Sequence, residues 1–153
     1  MNNINFNIVL VNPEIPQNTG SIGRLAVATN CRLHIVGKPG FTLDEKAVRR
    51  AGLDYWQFVQ VQEHPDIKTF FESIKEEPIF LFTKRGEESL FDFKPTQGGY
   101  LVFGGESFGL PDWIQNEYGK KIKIPMFNEN VRSLNLAMSV GIAVYQALEH
   151  MMD

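Results

Sequence analysis

The chain has 153 residues, 43% of them hydrophobic and 22% charged, with a net charge of −3 and a single cysteine. That length suits one domain spanning residues 1–153 around one core, burying roughly two thirds of its unfolded surface, and the composition excludes disordered and fibrous classes. Cys31 alone makes neither an intramolecular disulfide nor a cysteine-based metal cluster, which fits a reducing, cytoplasmic compartment, and a slightly acidic chain lacks a whole-molecule attraction to nucleic acid, so any such binding needs a local patch.

The segment "MNNINFNIVLVNPEIPQN" has no basic leader before its short apolar run, so it reads as a first strand (6–11) and not as a signal peptide. No apolar stretch approaches the ~20 residues that cross a bilayer. A helix is expected over 18–29, where Asn18 or Thr19 can serve as N-cap and Arg24 sits about one and a half turns in. A cation there can bind phosphate bidentately; as structure alone the segment is a well-capped helix. "RLHIV" (32–36) reads as the second strand, with His34 alternating inside it as a structural residue. A helix over 44–50 places Lys46, Arg49 and Arg50 within about one turn of each other, ahead of Tyr55 and Trp56. Basic and aromatic residues together hold phosphates and stack on bases, and a solvated helix face leading into a buried strand explains them equally well.

"WQFVQV" (56–61), "PIFLFT" (78–83), "YLVFG" (100–104) and "KIKIP" (121–125) read as further strands, separated by helices over 65–76 and 111–118. "IVLV" and "IFLF" are continuous apolar runs, the mark of strands covered on both faces. The chain closes with a helix after Ser133. There Leu134, Ala137, Met138, Gly141, Val144, Tyr145 and Leu148 form a core-facing stripe, with Asn135 and Ser139 beside it. Ser133 as N-cap and a solvated Asn135 and Ser139 would account for that opening; so would a site facing them.

This alternation gives an α/β fold with a mainly parallel sheet flanked by helices. In such sheets ligands lie beyond the carboxyl ends of the strands, which directs attention to "NPEIPQNTGSIGR", "TKRGEESLFDF", "GGESFGLPD" and "MFNENVRSLN". The glycines at 104, 105 and 109 do not make a G-x-G-x-x-G pattern, and no phosphate-loop or G-x-S-x-G elbow occurs. Three isolated histidines point away from a metal site. Lys84-Arg85 and Lys120, Lys121 and Lys123 add positive charge.

Taken together, "NPEIPQNTGSIGRL", "LVFGGESFGLP" and "KIPMFNENVRSLNLAMSVGIAVYQAL" resemble, in order and spacing, the three motifs of the SPOUT class of RNA methyltransferases. The absence of an added RNA-binding domain and "GFTLDEKAVRRAGLDYW" after the second strand resemble, within that class, the TrmL (YibK-like) tRNA 2′-O-methyltransferases over essentially the full length. The resemblance implies a SPOUT fold with a C-terminal trefoil knot, which topology rules alone would not supply. It implies S-adenosylmethionine held near Phe82, Gly104, Ile124, Ser133 and Leu134, a homodimer completing the site, and no metal.

The reaction so implied is ribose 2′-O-methylation of tRNA at the wobble nucleotide, a cytidine or modified uridine in the anticodon stem-loop. The alternatives are a ribosomal RNA 2′-O-methyltransferase and a non-catalytic RNA-binding module. Arg24 matches the family arginine associated with activating the hydroxyl; a guanidinium is very hard to deprotonate, so phosphate binding and alkoxide stabilisation are the expected roles. Asn18, Glu106, Arg132, Ser133 and Asn135 become candidates for orienting ribose or cofactor, and Lys46, Arg49, Arg50 and Arg132 for holding RNA. Where the family pattern has an arginine in its second motif, this chain has Phe108.

Overall fold

The computed structural model describes residues 3–44 and 46–152; Met1, Asn2, Asp153 and Glu45, the last within the expected helix 44–50, lie outside the described residues. In chain order the elements are β1 (Asn7–Val11), α1 (Pro16–Ala28), β2 (Arg32–Val36), α2 (Lys46–Gly52), a 3-10 turn (Leu53–Phe58), β3 (Val61–His64), α3 (Ile67–Ile74), β4 (Ile79–Phe82), β5 (Glu88–Ser89), a second 3-10 turn (Leu90–Asp92), β6 (Tyr100–Phe103), α4 (Asp112–Glu117), β7 (Lys120–Lys123) and α5 (Leu136–Met152). The strands form one sheet in the order β3-β2-β1-β6-β4-β7-β5, and every pairing is parallel.

Parallel strands need covering on both faces, and alternation along each strand supplies both. Ile8 and Leu10 of β1 join Ile22 of α1, Val48 of α2 and Val140 and Val144 of α5 in one apolar layer. Val9 and Val11 join Phe70 and Phe71 of α3 and Ile114 of α4 in the other. The connections decide where a ligand can sit. From β1 the chain steps outward to β2 and β3, then returns to β4 on the far side, and β6 later fills the gap between β1 and β4. The order therefore reverses at β1–β6, and the loops that leave their carboxyl ends part there to form a crevice.

Five expected strands stand with boundaries moved by at most two residues, and the expected helices recur. The run at 56–61 is different: it forms the 3-10 turn and leads into β3, three residues further along in its end point than expected. Buried Trp56 packs its ring onto α1 at Gly23, a docking that a turn permits and a sheet strand would not. β3 itself is an edge strand of sequence VQEH with no fully buried residue, so it carries little apolar signal. β5, two residues long, was beyond the reach of periodicity.

Both helix starts also depart from expectation. α1 begins at Pro16, with Ile15 in the N-cap position and no side-chain cap of its own; Asn18 and Thr19 lie buried inside the first turn. α5 is capped by Asn135, whose Oδ1 accepts from Met138 N at 3.2 Å, and not by Ser133. Starting from Leu136, the buried stripe runs through Val140, Ala143, Val144 and Ala147. Met138 and Tyr145, expected inside, are 60% and 57% exposed.

Cys31 is a buried thiol whose pKa burial pushes up. His34 is satisfied within the sheet: Nε2 donates to Asn7 Oδ1 at 2.8 Å, and Nδ1 then accepts from His64 Nε2 at 3.0 Å. Asn7 Nδ2 donates onward to Gly98 O at 3.0 Å, which fixes the amide's orientation and hence the tautomer of each ring. Burial, then the neighbouring His64 and Arg32, pull the His34 pKa from 6.5 down to about 3. Because the folded state disfavours the protonated ring, its contribution to stability is complete above pH 6.5 and is lost as pH falls toward about 3. Between pH 6.5 and 5, chemical denaturation should show the unfolding free energy falling by about 2 kcal/mol on this account, and His34→Gln should flatten that slope. An unchanged slope in the variant would contradict the assignment.

Candidate functional site

The carboxyl ends of β4, β6 and β7 open onto a cavity of about 700 Å³, closed on the remaining side by the start of α5 and by Ile15 and Asn18 of the α1 entry. This volume lies within the usual range for small-molecule sites. Its floor is aromatic: the rings of Phe82 and Phe103, which end β4 and β6, stack at 4.8 Å with 8° between their planes. Phe93 meets Phe82 edge-on at 5.3 Å behind them. Ile124, Leu134 and Leu136 continue the apolar wall. Gly104 leaves β6 where a Cβ would collide with the backbone of Gly109 and Leu110, so only glycine lets the 105–109 loop fold back beside the cavity.

A polar row crosses one wall. Glu106 accepts from Glu14 N at 2.7 Å, Ile15 N at 3.0 Å and Asn18 Nδ2 at 3.1 Å. Glu14 answers from the other loop, its Oε2 accepting from Ser107 N at 2.7 Å. Two carboxylates thus latch the loop after β1 to the loop after β6, and Glu106 holds the backbone just ahead of α1 together with a side chain of its first turn. Asn18, oriented by that carboxylate, presents its Oδ1 to Asn135 Nδ2 at 3.1 Å. Asn135 is oriented in turn by capping Met138 N. Each amide's direction is therefore set by a partner of fixed polarity, and each retains an N–H for a further acceptor.

Expected residues from three distant segments meet here. Phe82, Gly104, Ile124, Ser133 and Leu134 all line the cavity, as do Asn18, Glu106, Asn135 and Ser139. Arg24 does not. It is exposed on α1, with its guanidinium carbon 5.1 Å from the centre of the Tyr55 ring. Lys46, Arg49 and Arg50 are exposed on α2, which packs on α1, the helix that carries Arg24. Arg132 is exposed on the segment between β7 and α5, and none of these five cations is among the lining residues.

Sequence reasoning missed Gln115 of α4. Its buried amide accepts from Thr83 Oγ1 at 2.8 Å and Arg85 Nε at 3.1 Å, and donates to Leu110 O at 2.9 Å. Arg85 also binds Asp112 at 2.7 Å. One amide in a short helix gives no pattern to read, yet it ties the loop after β4 to the loop after β6. Lys84 and Lys123, read earlier as scattered charge, line the cavity too. Among the described residues there is no group of three His, Cys, Asp or Glu that could hold a metal, and no helix is long and apolar enough to cross a membrane.

The model of the SpoU rRNA methylase family matches residues 5–145 of the chain. The tRNA (cytidine(34)-2′-O)-methyltransferase of Escherichia coli strain K12 is 43% identical over 144 residues, covering 93% of this chain and 91% of that protein. A protein whose structure was solved to study 2-OH methylation of C/U34 on tRNA is 41% identical, with a TM-score of 0.91 over 96% of each chain. The SpoU methyltransferase AviRb of Streptomyces viridochromogenes, solved with AdoMet, is 22% identical with a TM-score of 0.88, covering 97% of this chain and 62% of its own; its likeness is one of fold.

Removing the Glu106 carboxylate leaves Glu14 N, Ile15 N and Asn18 Nδ2 without their acceptor. Glu106→Ala should lower the unfolding free energy by about 2 kcal/mol in denaturant titration, since hydrogen bonds to charged groups are worth ~1.5–3 kcal/mol. Glu129→Ala, at an exposed position, should change nothing measurable. Equal stability of Glu106→Ala and the parent would remove the latch from the account.

Proposed function

Because the chain belongs to the SpoU rRNA methylase family, we propose that it is an S-adenosylmethionine-dependent tRNA ribose 2′-O-methyltransferase acting on the wobble nucleotide, a cytidine or modified uridine of the anticodon stem-loop. The observation that carries this reading is the meeting of Phe82, Gly104, Ile124, Ser133 and Leu134 around one cavity beside the Asn18–Glu106–Asn135 row. Size, stacked aromatic floor and an apolar wall with polar groups along one side suit an adenosine, so the residues present fit the cofactor. When bound, S-adenosylmethionine supplies an electrophilic methyl on a sulfonium.

The chain's own residues have three tasks. Phe82, Phe103, Ile124 and Leu134 exclude water and enclose the apolar part of the donor. Asn18 and Asn135, fixed through Glu106, offer N–H groups that orient a ribose or amino-acid oxygen, and holding reactants in this way removes much of the entropic barrier. Arg24 binds the neighbouring phosphate and stabilises charge developing on the 2′-oxygen as its proton leaves for solvent. Lys46, Arg49, Arg50 and Arg132 hold the RNA backbone, a local patch on an otherwise acidic chain.

Arg24 lies outside the cavity of its own protomer, so in this reading a second copy brings it in. An apolar stripe on the outward face of α5, with Met138, Ile142, Tyr145 and Met152 all exposed, is the surface a symmetric partner would cover. The reading also takes residues 1–153 as one cytoplasmic catalytic domain with its C-terminal part threaded as a trefoil knot. In its support, β7 lies between β4 and β5, so the β4–β5 connection bridges a later strand.

Incubation with methyl-labelled S-adenosylmethionine and bulk tRNA, followed by nucleoside analysis, should yield 2′-O-methylated nucleoside. Label on a base, or transfer to ribosomal RNA alone, would contradict the reaction. Arg24→Ala should abolish turnover while leaving cofactor affinity at the parental level. Mixing it with a cofactor-loop variant, Ser133→Trp, should restore activity through mixed dimers; a mixture as inactive as its components would refute completion of the site by the second copy.

A further inference from the structure

Phe108 is 91% exposed, although a phenyl ring in water is the costliest place for that side chain. It stands on a short loop held at both ends. Gly109 N donates to Gly105 O at 3.0 Å, closing an antiparallel bridge between these two residues, and Gly109 turns the chain at φ +67°. Inside the loop Glu106 is bound by the α1 entry, and Ser107 N is bound by Glu14. Neighbouring residues are thus committed to the cavity wall while the ring is presented outward, at the rim of the same cavity. A tethered aromatic with two rotatable torsions loses little freedom on binding, which makes it an effective contact surface.

The chemistry around the ring narrows what it meets. Lys84 and Lys123 line the same cavity and are exposed, so an anion is expected at this mouth, and Met126 adds a second soft apolar contact. Positive charge beside an unpartnered aromatic face is the combination that holds a nucleotide, phosphate on the cations and base on the ring. Phe108 lies two steps along the chain from Glu106, with Ser107 between them, a backbone span of about 7 Å at most. That is comparable to the reach from a base to its own ribose hydroxyl, so a base on Phe108 leaves its sugar near the Asn18–Asn135 row.

We propose that Phe108 is the stacking platform for the base of the nucleotide being methylated, a substrate-positioning contact at the cavity mouth. The proposal rests on the methyltransferase reading, and it has a readout that does not need turnover. An anticodon stem-loop carrying 2-aminopurine at the target position should be quenched on binding the parent. Phe108→Ala and Phe108→Leu should lose that quenching, and Phe108→Trp should retain it. In the methylation assay Phe108→Ala should raise KM for RNA about ten- to a hundredfold, the range expected from one lost base stack, while kcat, cofactor affinity and oligomeric state stay parental. Quenching without methyl transfer would leave the platform standing and fell the reaction. Methyl transfer with no quenching, a parental KM in Phe108→Leu, a loss of cofactor affinity, or dissociation of the dimer in Phe108→Ala would each overturn the platform.

Discussion

The site depends on one carboxylate. Glu106 leaves the end of β6 and is grasped by two backbone amides and one side-chain amide from the loop that follows β1. Two of those donors, Glu14 N and Ile15 N, lie just ahead of Pro16, and the third is a side chain of the first turn of α1, which has no side-chain cap of its own. A negative charge at that place is favoured by the helix dipole as well. The same carboxylate that holds the entry to α1 therefore fixes the β6 loop, and through Asn18 it sets the direction of Asn135 at the start of α5. Three segments separated by about ninety and about thirty residues hold one geometry because one side chain satisfies them all.

The sheet makes that meeting possible. Parallel strands deliver all their following loops to one end, and the reversal of order at β1–β6 keeps the crevice open there. Gln115 does for the loop after β4 what Glu106 does for the loop after β1, joining it to the β6 side through a buried amide. A wall braced in this way can present N–H groups in fixed directions, which is what orientation of a weak nucleophile requires.

Much of this was legible in the chain. β1 and β4 announced themselves because strands buried on both faces leave unbroken apolar runs, and the loops beyond the strand ends could be placed from the sequence pattern, whereas Gly104, Ile124 and Leu134 were singled out only by the family resemblance. β3 escaped because an edge strand of VQEH has no apolar signature, and the run that begins at Trp56 reads as a strand although Trp56 sits in the 3-10 turn that docks on α1. Ser133 looked like a cap, but Asn135 holds that place because it is tied from behind by Asn18, a contact 117 positions away that no local rule contains. The exposed Met138 and Tyr145 likewise obey the helical period and break the expectation of burial. Arg24, a phosphate-binding candidate in the linear reading, stands over Tyr55 outside the cavity, since the face of α1 it occupies is decided by how Ile22 and Ala26 pack.

The account stands or falls on whether the latched cavity is where the methyl donor sits. Titrating the protein with S-adenosylhomocysteine while following backbone amide resonances addresses this without any RNA. Saturable shifts should concentrate at Gly104, Ile124, Ser133 and Leu134. Shifts confined to Lys38, Ile67 and Lys68, beyond the ends of β2 and β3, would place the donor elsewhere and contradict it.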